Sequence, residues 1–279
     1  MKARQFGNLL GFRSKPRSYG FEVCVFDLAK DGSVEYAQWL HPGESRKVVT
    51  QEIVDELRSF LKPGDLAIDI GAHSGDSTVP VGLAVGSTGC VLALEPNKFV
   101  FPVLKKNSQL NAGKTRIVPL MFAATPEDGE FDFEYSDSGF CNGGRHEGIS
   151  RWRHAHAFKL RVAGRNLESY LKNQCPQLLP KLSFIKVDAE GYDIRILKTL
   201  SRVIAEHRPF IKAEVYKHTN PVQREELYQF FTEHHYVIHR MEGESCYRGQ
   251  VLGESDLMKW RHFDIFCTPE VSQVGSRVS

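Results

Sequence analysis

From Tyr19 apolar and polar positions alternate: Phe21, Val23 and Val25 share one face, Asp31-Gly32 marks a turn, and Val34 and Tyr36 lead into Trp39-Leu40. Period-two alternation around such a turn predicts a β-hairpin. The period then lengthens. Ile53, Val54, Leu57, Phe60 and Leu61 recur at helical spacing, Thr50 is placed to cap that helix, and Pro63-Gly64 ends it. From Leu66 short apolar runs alternate with helical ones. Strands are predicted over 66–70, 91–95, 116–122, 184–188, 210–216, 236–241 and 263–267, with helices over 77–85, 99–110, 192–205 and 221–233, the last opened by Asn220-Pro221. This rhythm implies βαβ units and an α/β fold, a mostly parallel sheet covered by helices on both faces.

Residues 130–163 interrupt the rhythm. Phe131, Phe133 and Tyr135 alternate as one strand, 136–149 are rich in Gly, Ser and Asn, and 151–156 are basic around Trp152. The chain therefore divides into a basic tail and hairpin (1–49), a main domain (50–268) with an insertion at about 136–160, and a polar tail (269–279) expected to be disordered.

Composition narrows the classes. The chain has 279 residues, 41% hydrophobic and 25% charged, which suits an ordinary globular domain. No run reaches the ~18 apolar residues of a spanning helix. Net charge is +2, so no global field favours nucleic acid. Before Glu22 the charges are all basic (Lys2, Arg4, Arg13, Lys15, Arg17), and no signal-peptide pattern accompanies them. None of the six cysteines forms a CxxC pair, so reduced thiols and a cytoplasmic location are expected.

The strongest chemical signal is a strand running into Asp69-Ile70-Gly71-Ala72-His73-Ser74-Gly75 and then a helix. The glycines permit a tight turn and close approach to a ligand, and the helix N-terminus favours an anion. Glu95, at the end of the next strand, lies 24 residues beyond Gly71; an acid there can bridge both hydroxyls of a ribose. The dinucleotide pattern G-x-G-x-x-G is absent, which disfavours a nicotinamide-dependent oxidoreductase. A carboxylate at Asp69 suits a ligand that carries an amino group as well as a ribose, and S-adenosylmethionine has both.

These residues resemble a known family. Leu61-Lys62-Pro63-Gly64-Asp65 through Gly75, with Glu95-Pro96 downstream, looks like the first two motifs of class I S-adenosylmethionine-dependent methyltransferases. Phe184-Ile185-Lys186-Val187-Asp188-Ala189-Glu190-Gly191-Tyr192 resembles the signature of the FkbM-type family, and Phe131-Asp132-Phe133 and Asp264-Ile265-Phe266 resemble its middle and final strands. The resemblance spans about 50–268. It implies a Rossmann-like sheet of seven strands with one antiparallel edge strand, and O-methylation of a sugar, glycan or secondary metabolite. It places Asp69, Gly71, Ala72, His73, Ser74, Gly75 and Ser77 on the first cofactor motif, Glu95 and Pro96 on the ribose motif, Phe122 and Ala123 beside the adenine, and Asp188 near the transferred group. His73, and Asn166-Leu167-Glu168 before the fourth strand, depart from the family's usual residues.

Asp188 ends a strand on the ligand side of the sheet, and Glu190 follows two residues later. Either can act as general base on an acceptor hydroxyl. The acceptor wall is expected from Asn142, Arg145 and Trp152 of the insertion, with Glu214 and His218 opposite. Asp188, Glu190, Glu214 and His218 would suit a divalent cation if they converge, but no metal is assigned. The alternative to an enzyme is a cofactor-binding partner protein without activity.

Overall fold

The computed structural model describes Leu10 and residues 14–145 and 156–270. An antiparallel hairpin, β1 (Phe21–Leu28) and β2 (Gly32–Trp39), precedes α1 (Gln51–Arg58). Thr50 caps α1 as expected, its side chain accepting the Ile53 N–H at 3.4 Å. Next come β3 (Leu66–Ile70), α2 (Thr78–Val85), β4 (Cys90–Leu94), α3 (Phe101–Gln109) and β5 (Ile117–Leu120). Four strands then form a sheet of their own: β6 (Ala123–Ala124), β7 (Gly129–Tyr135), β8 (Gly143–Gly144) and β9 (Phe158–Arg165). The α/β rhythm resumes with α4 (Leu167–Gln174), β10 (Leu182–Val187), α5 (Asp193–Thr199), α6 (Ser201–His207), β11 (Phe210–Val215), α7 (Pro221–Glu233), β12 (Tyr236–Arg240) and β13 (Phe263–Pro269).

The large sheet has seven strands in the order β12-β13-β11-β10-β3-β4-β5. β5, β4, β3, β10 and β11 pair in parallel, and β13 runs antiparallel to both β11 and β12. The antiparallel strand thus lies one position in from the edge.

Strand alternation makes two cores. Leu66, Ile68 and Ile70 of β3 pack with Leu167 and Leu171 of α4, Leu197 of α5 and Phe230 of α7. Ala67 of β3 and Val91 of β4 face the other way, onto Leu57 of α1, Val81 and Val85 of α2 and Leu104 of α3. Both faces of the sheet are therefore dry, as all-parallel strands require.

Two expectations need correction. The helix foreseen over 192–205 is two helices, joined at Leu200 (φ −101°, ψ 5°). Thr199 Oγ1 donates back to the Ile196 carbonyl at 2.7 Å, a local bond that competes with continuation of the helix. The insertion is partly regular: β9 alternates buried and exposed along all eight residues and pairs antiparallel with β7.

The hairpin is fastened into the main domain. Asn107 of α3 accepts the Ala37 N–H at 2.7 Å and donates to the Ala37 carbonyl at 3.1 Å and the Ser74 carbonyl at 2.7 Å. The Tyr36 hydroxyl, fully buried, meets Ser74 Oγ at 3.0 Å. Among the described residues no helix is long and apolar enough to cross a membrane.

Candidate active site

A cleft of about 280 Å³ opens at the carboxyl ends of β3, β4 and β10, the edge of an open α/β sheet where ligands bind. Its floor is the turn after β3. The Gly71 and Ala72 N–H groups both donate to the Leu94 carbonyl, at 3.1 and 2.9 Å, so the turn crosses the end of β4. Gly71 sits at φ +77°, and a Cβ there would stand 2.0 Å from the Asp188 carbonyl oxygen. That approach brings the turn and the Asp188 loop into one site.

His73 is the turn's apex, at φ 47°. Its N–H donates to Glu95 Oε2 at 2.9 Å, and the Asn97 N–H donates to Glu95 Oε1 at 2.7 Å. Each carboxylate oxygen keeps a lone pair for a further donor. Burial pushes the Glu95 carboxyl above its ordinary value, opposed by His73 and the two amide bonds. Phe122, Ala123, Phe133 and Tyr135 form an apolar wall beside Glu95.

The start of the insertion closes the other side. Phe140 stacks on Phe99, ring centres 4.4 Å apart, and its carbonyl accepts from Asn97 Nδ2 at 2.6 Å. The His73 Nε2 pairs with the Cys141 carbonyl at 3.2 Å. The Arg145 guanidinium lies over the rings of Phe131 and Tyr192, at 4.7 and 5.1 Å.

Gly71, His73, Ser77, Glu95, Pro96, Phe122, Ala123, Asn142, Arg145, Asp188 and Glu190 all line this cleft. Four residues of the first motif do not. Asp69 is 2% exposed, accepts from Thr78 Oγ1 at 2.6 Å and pairs with Lys186 at 3.1 Å. It stands opposite Lys186 in the β3–β10 register. Ala72 packs in the core, Ser74 is held by Tyr36 and Asn107, and Gly75 backs onto Leu104. Glu214 and His218 are also outside the cleft wall. Glu214 pairs with His262 at 2.5 Å, and His218 meets the Tyr216 ring edge-on at 5.3 Å. Trp152 lies outside the described residues. The four groups considered for a cation are not gathered; among the described residues the ligand atoms within 4.8 Å of one another are those of Glu44, His73 and Cys141.

Several wall residues escaped the sequence reading: Glu44, Lys47, Asp76, Tyr135, Lys186, Lys212, Glu244 and Asp264. Lys186 was discoverable, because it is the one charge inside a mostly apolar strand, and Lys212 shares its strand with Glu214 alone among charges. Both are buried and paired, Lys186 with Asp69 and Asp188, Lys212 with Glu244 and Asp264.

The sequence profile of the methyltransferase FkbM domain matches residues 69–238, more than half of the chain. The chain belongs to this family. Among solved structures, methyltransferase FkbM from Methylobacillus flagellatus KT is similar at 16% identity and a TM-score of 0.46, the match covering 74% of this chain and 44% of that one. A SAM-dependent O-methyltransferase from Thermotoga maritima is similar at 14% identity and a TM-score of 0.44, covering 92% of this chain and 80% of that one. The FkbM chain described here thus spans less than half the length of its Methylobacillus relative. No protein with a curated function matches it.

The acids of this FkbM domain crowd together. Burial pushes Glu190 up, helped by Asp188 and opposed by Lys217. Burial also pushes Glu214 well up, with Asp188, Glu190 and Asp264 adding to it, and Asp193 well up, with Glu214 and Asp188 adding. The native state therefore keeps these protons after the unfolded chain has released its own. Stability from these groups is complete below the ordinary carboxylate value of about 4 and falls as pH rises through their raised values. Denaturant melts should accordingly show lower stability at pH 8 than at pH 5. Glu214→Gln should flatten that slope, and an unchanged slope would show that Glu214 ionises as freely in the native state as in the unfolded one.

Proposed function

We propose that the protein is an S-adenosylmethionine-dependent O-methyltransferase acting on a hydroxyl of a sugar, glycan or secondary metabolite. The observation that carries this reading is the meeting, in one cleft, of the Glu95 carboxylate with Asp188 and Glu190. The residues fit the cofactor. Glu95 is held by two backbone amides with lone pairs to spare for two ribose hydroxyls, and the apolar wall beside it suits a flat base. When bound, S-adenosylmethionine supplies a methyl group on a cationic sulfur that leaves as a neutral thioether.

The chain's own part is positioning and proton transfer. Asp188 and Glu190 follow β10 and face the cleft across from Gly71. A hydroxyl oriented there gives its proton to one carboxylate as its oxygen gains a carbon, and such a base contributes roughly 10²–10⁴-fold. Glu190 is the better placed: half-buried beside Asp188, its carboxyl is raised above the ordinary glutamate value, which suits a group that must accept a proton. Arg145 and Asn142 offer donors to the acceptor's other hydroxyls.

Isothermal titration tests the cofactor half. The wild type should bind S-adenosylmethionine, and Glu95→Gln, which loses a charge-assisted bond, should weaken binding about tenfold or more. No binding by the wild type overturns the reading. Incubation with labelled cofactor and a hydroxyl-rich extract tests transfer, and label found on nitrogen or carbon instead of oxygen would reject the base assigned here.

A further inference from the structure

The cleft has a second, strongly charged end. Lys47 Nζ lies 2.9 Å from Glu44 Oε1 and 2.9 Å from Asp76 Oδ2. Two carboxylates thus share one ammonium, which leaves one negative charge over. The Glu44 side chain is 8% exposed, and its Oε2 accepts a weak bond from the Cys141 thiol at 3.6 Å, so that charge is dear to keep without a stronger partner. The His73 Nε2 faces the Cys141 carbonyl and donates to it. Its Nδ1 lies 4.0 Å from Glu44 Oε1. Beside them α2 opens at Ser77, whose side chain makes no capping bond, and the helix N-terminus favours an anion. Glu44, Lys47, His73, Asp76 and Ser77 all line the same cleft as Glu95.

We propose that Glu44 and Lys47, both outside the segment matched by the family profile, form with His73 and Asp76 a recognition site for an α-amino acid zwitterion, the tail of the cofactor whose ribose Glu95 holds. This rests on the cofactor reading above and assigns its other end. The surplus carboxylate receives the ammonium, and Lys47 with the start of α2 receives the carboxylate. The arrangement reassigns the amino-group role from Asp69, which Lys186 and Thr78 already occupy, to residues reached from the chain before β3. Asp76 is held down to about 2, where Lys47, His73 and Lys186 outweigh burial, so it stays an anion throughout the working range.

The test compares two ligands. S-adenosylhomocysteine has the zwitterion, and 5′-methylthioadenosine keeps the nucleoside and sulfur without it. Lys47→Met and Glu44→Gln should each raise the Kd for S-adenosylhomocysteine about tenfold or more while changing that for 5′-methylthioadenosine less than about twofold. Lys47→Arg should restore most of the loss. Equal weakening of both ligands, or of neither, overturns the inference while leaving the cofactor reading intact. Failure of the wild type to bind either ligand overturns both. Equilibrium dialysis against zinc is a third arm, since Glu44, His73 and Cys141 stand close enough to share an ion. One equivalent retained by the full chain and lost in Cys141→Ser would assign the cluster to a metal and overturn the zwitterion.

Discussion

Gly71→Ala should cost at least about 4 kcal/mol of stability and abolish cofactor binding. The added methyl would lie 2.0 Å from the Asp188 carbonyl oxygen, 3.1 Å from its carbon, and would need φ +77°. Both partners are backbone, so no side chain can swing aside. Relief requires the turn after β3 to part from the loop after β10. That separates Glu95, reached through His73, from Asp188 and Glu190. For a domain of this size the melting temperature should fall by roughly 8–16 °C. Gly113→Ala is the control, since a Cβ there meets nothing within 4 Å. Similar melting and cofactor binding for both variants would refute the close-packed junction.

Glu190→Gln should lower kcat by about 10²–10⁴-fold while shifting cofactor affinity less than roughly threefold. Glu190 is held at φ 53° beside Gly191 at φ 95°. Burial first, then Asp188, raise its carboxyl, so the acid limb of the kcat profile should lie above the ordinary glutamate value of about 4.3. Asp188→Asn removes one cause and should move that limb to lower pH. The two variants separate the carboxylates. If Asp188→Asn is the inactive variant and Glu190→Gln is active, the base is Asp188. Full activity in both would mean that alignment of the reactants suffices.

The α/β frame was legible because its strands and helices carry clean periods, 2.0 against 3.6, with turn residues between them. β9 shows the same alternation, Phe158-Lys-Leu-Arg-Val-Ala-Gly-Arg, yet it follows a basic stretch and belongs to a segment rich in turn residues. Its partner β7 was visible, and the eight-residue alternation was signal enough to pair them. The Glu95 end of the cleft was readable from Glu95 and the glycines, since those residues meet through backbone geometry near their own strand. The charged end was not. Glu44 and Lys47 fall in an irregular stretch with no period, and they meet His73 and Asp76 only through the tertiary fold. The pairing of Asp69 was hidden for the opposite reason. A strand-end acid beside a glycine turn looks aimed at a ligand, but strand pairing sets Lys186 directly across from it.

The three hydrogen bonds of Asn107 bear on how the protein can be shortened. A version trimmed to begin at residue 50 would remove Ala37 and Tyr36 together, stranding the amide of Asn107 and the hydroxyl of Ser74 and uncovering the underside of the glycine turn. Such a fragment would keep every strand of the large sheet. It would lose the brace that fixes where the turn stands, so the shortest faithful version has to retain the hairpin.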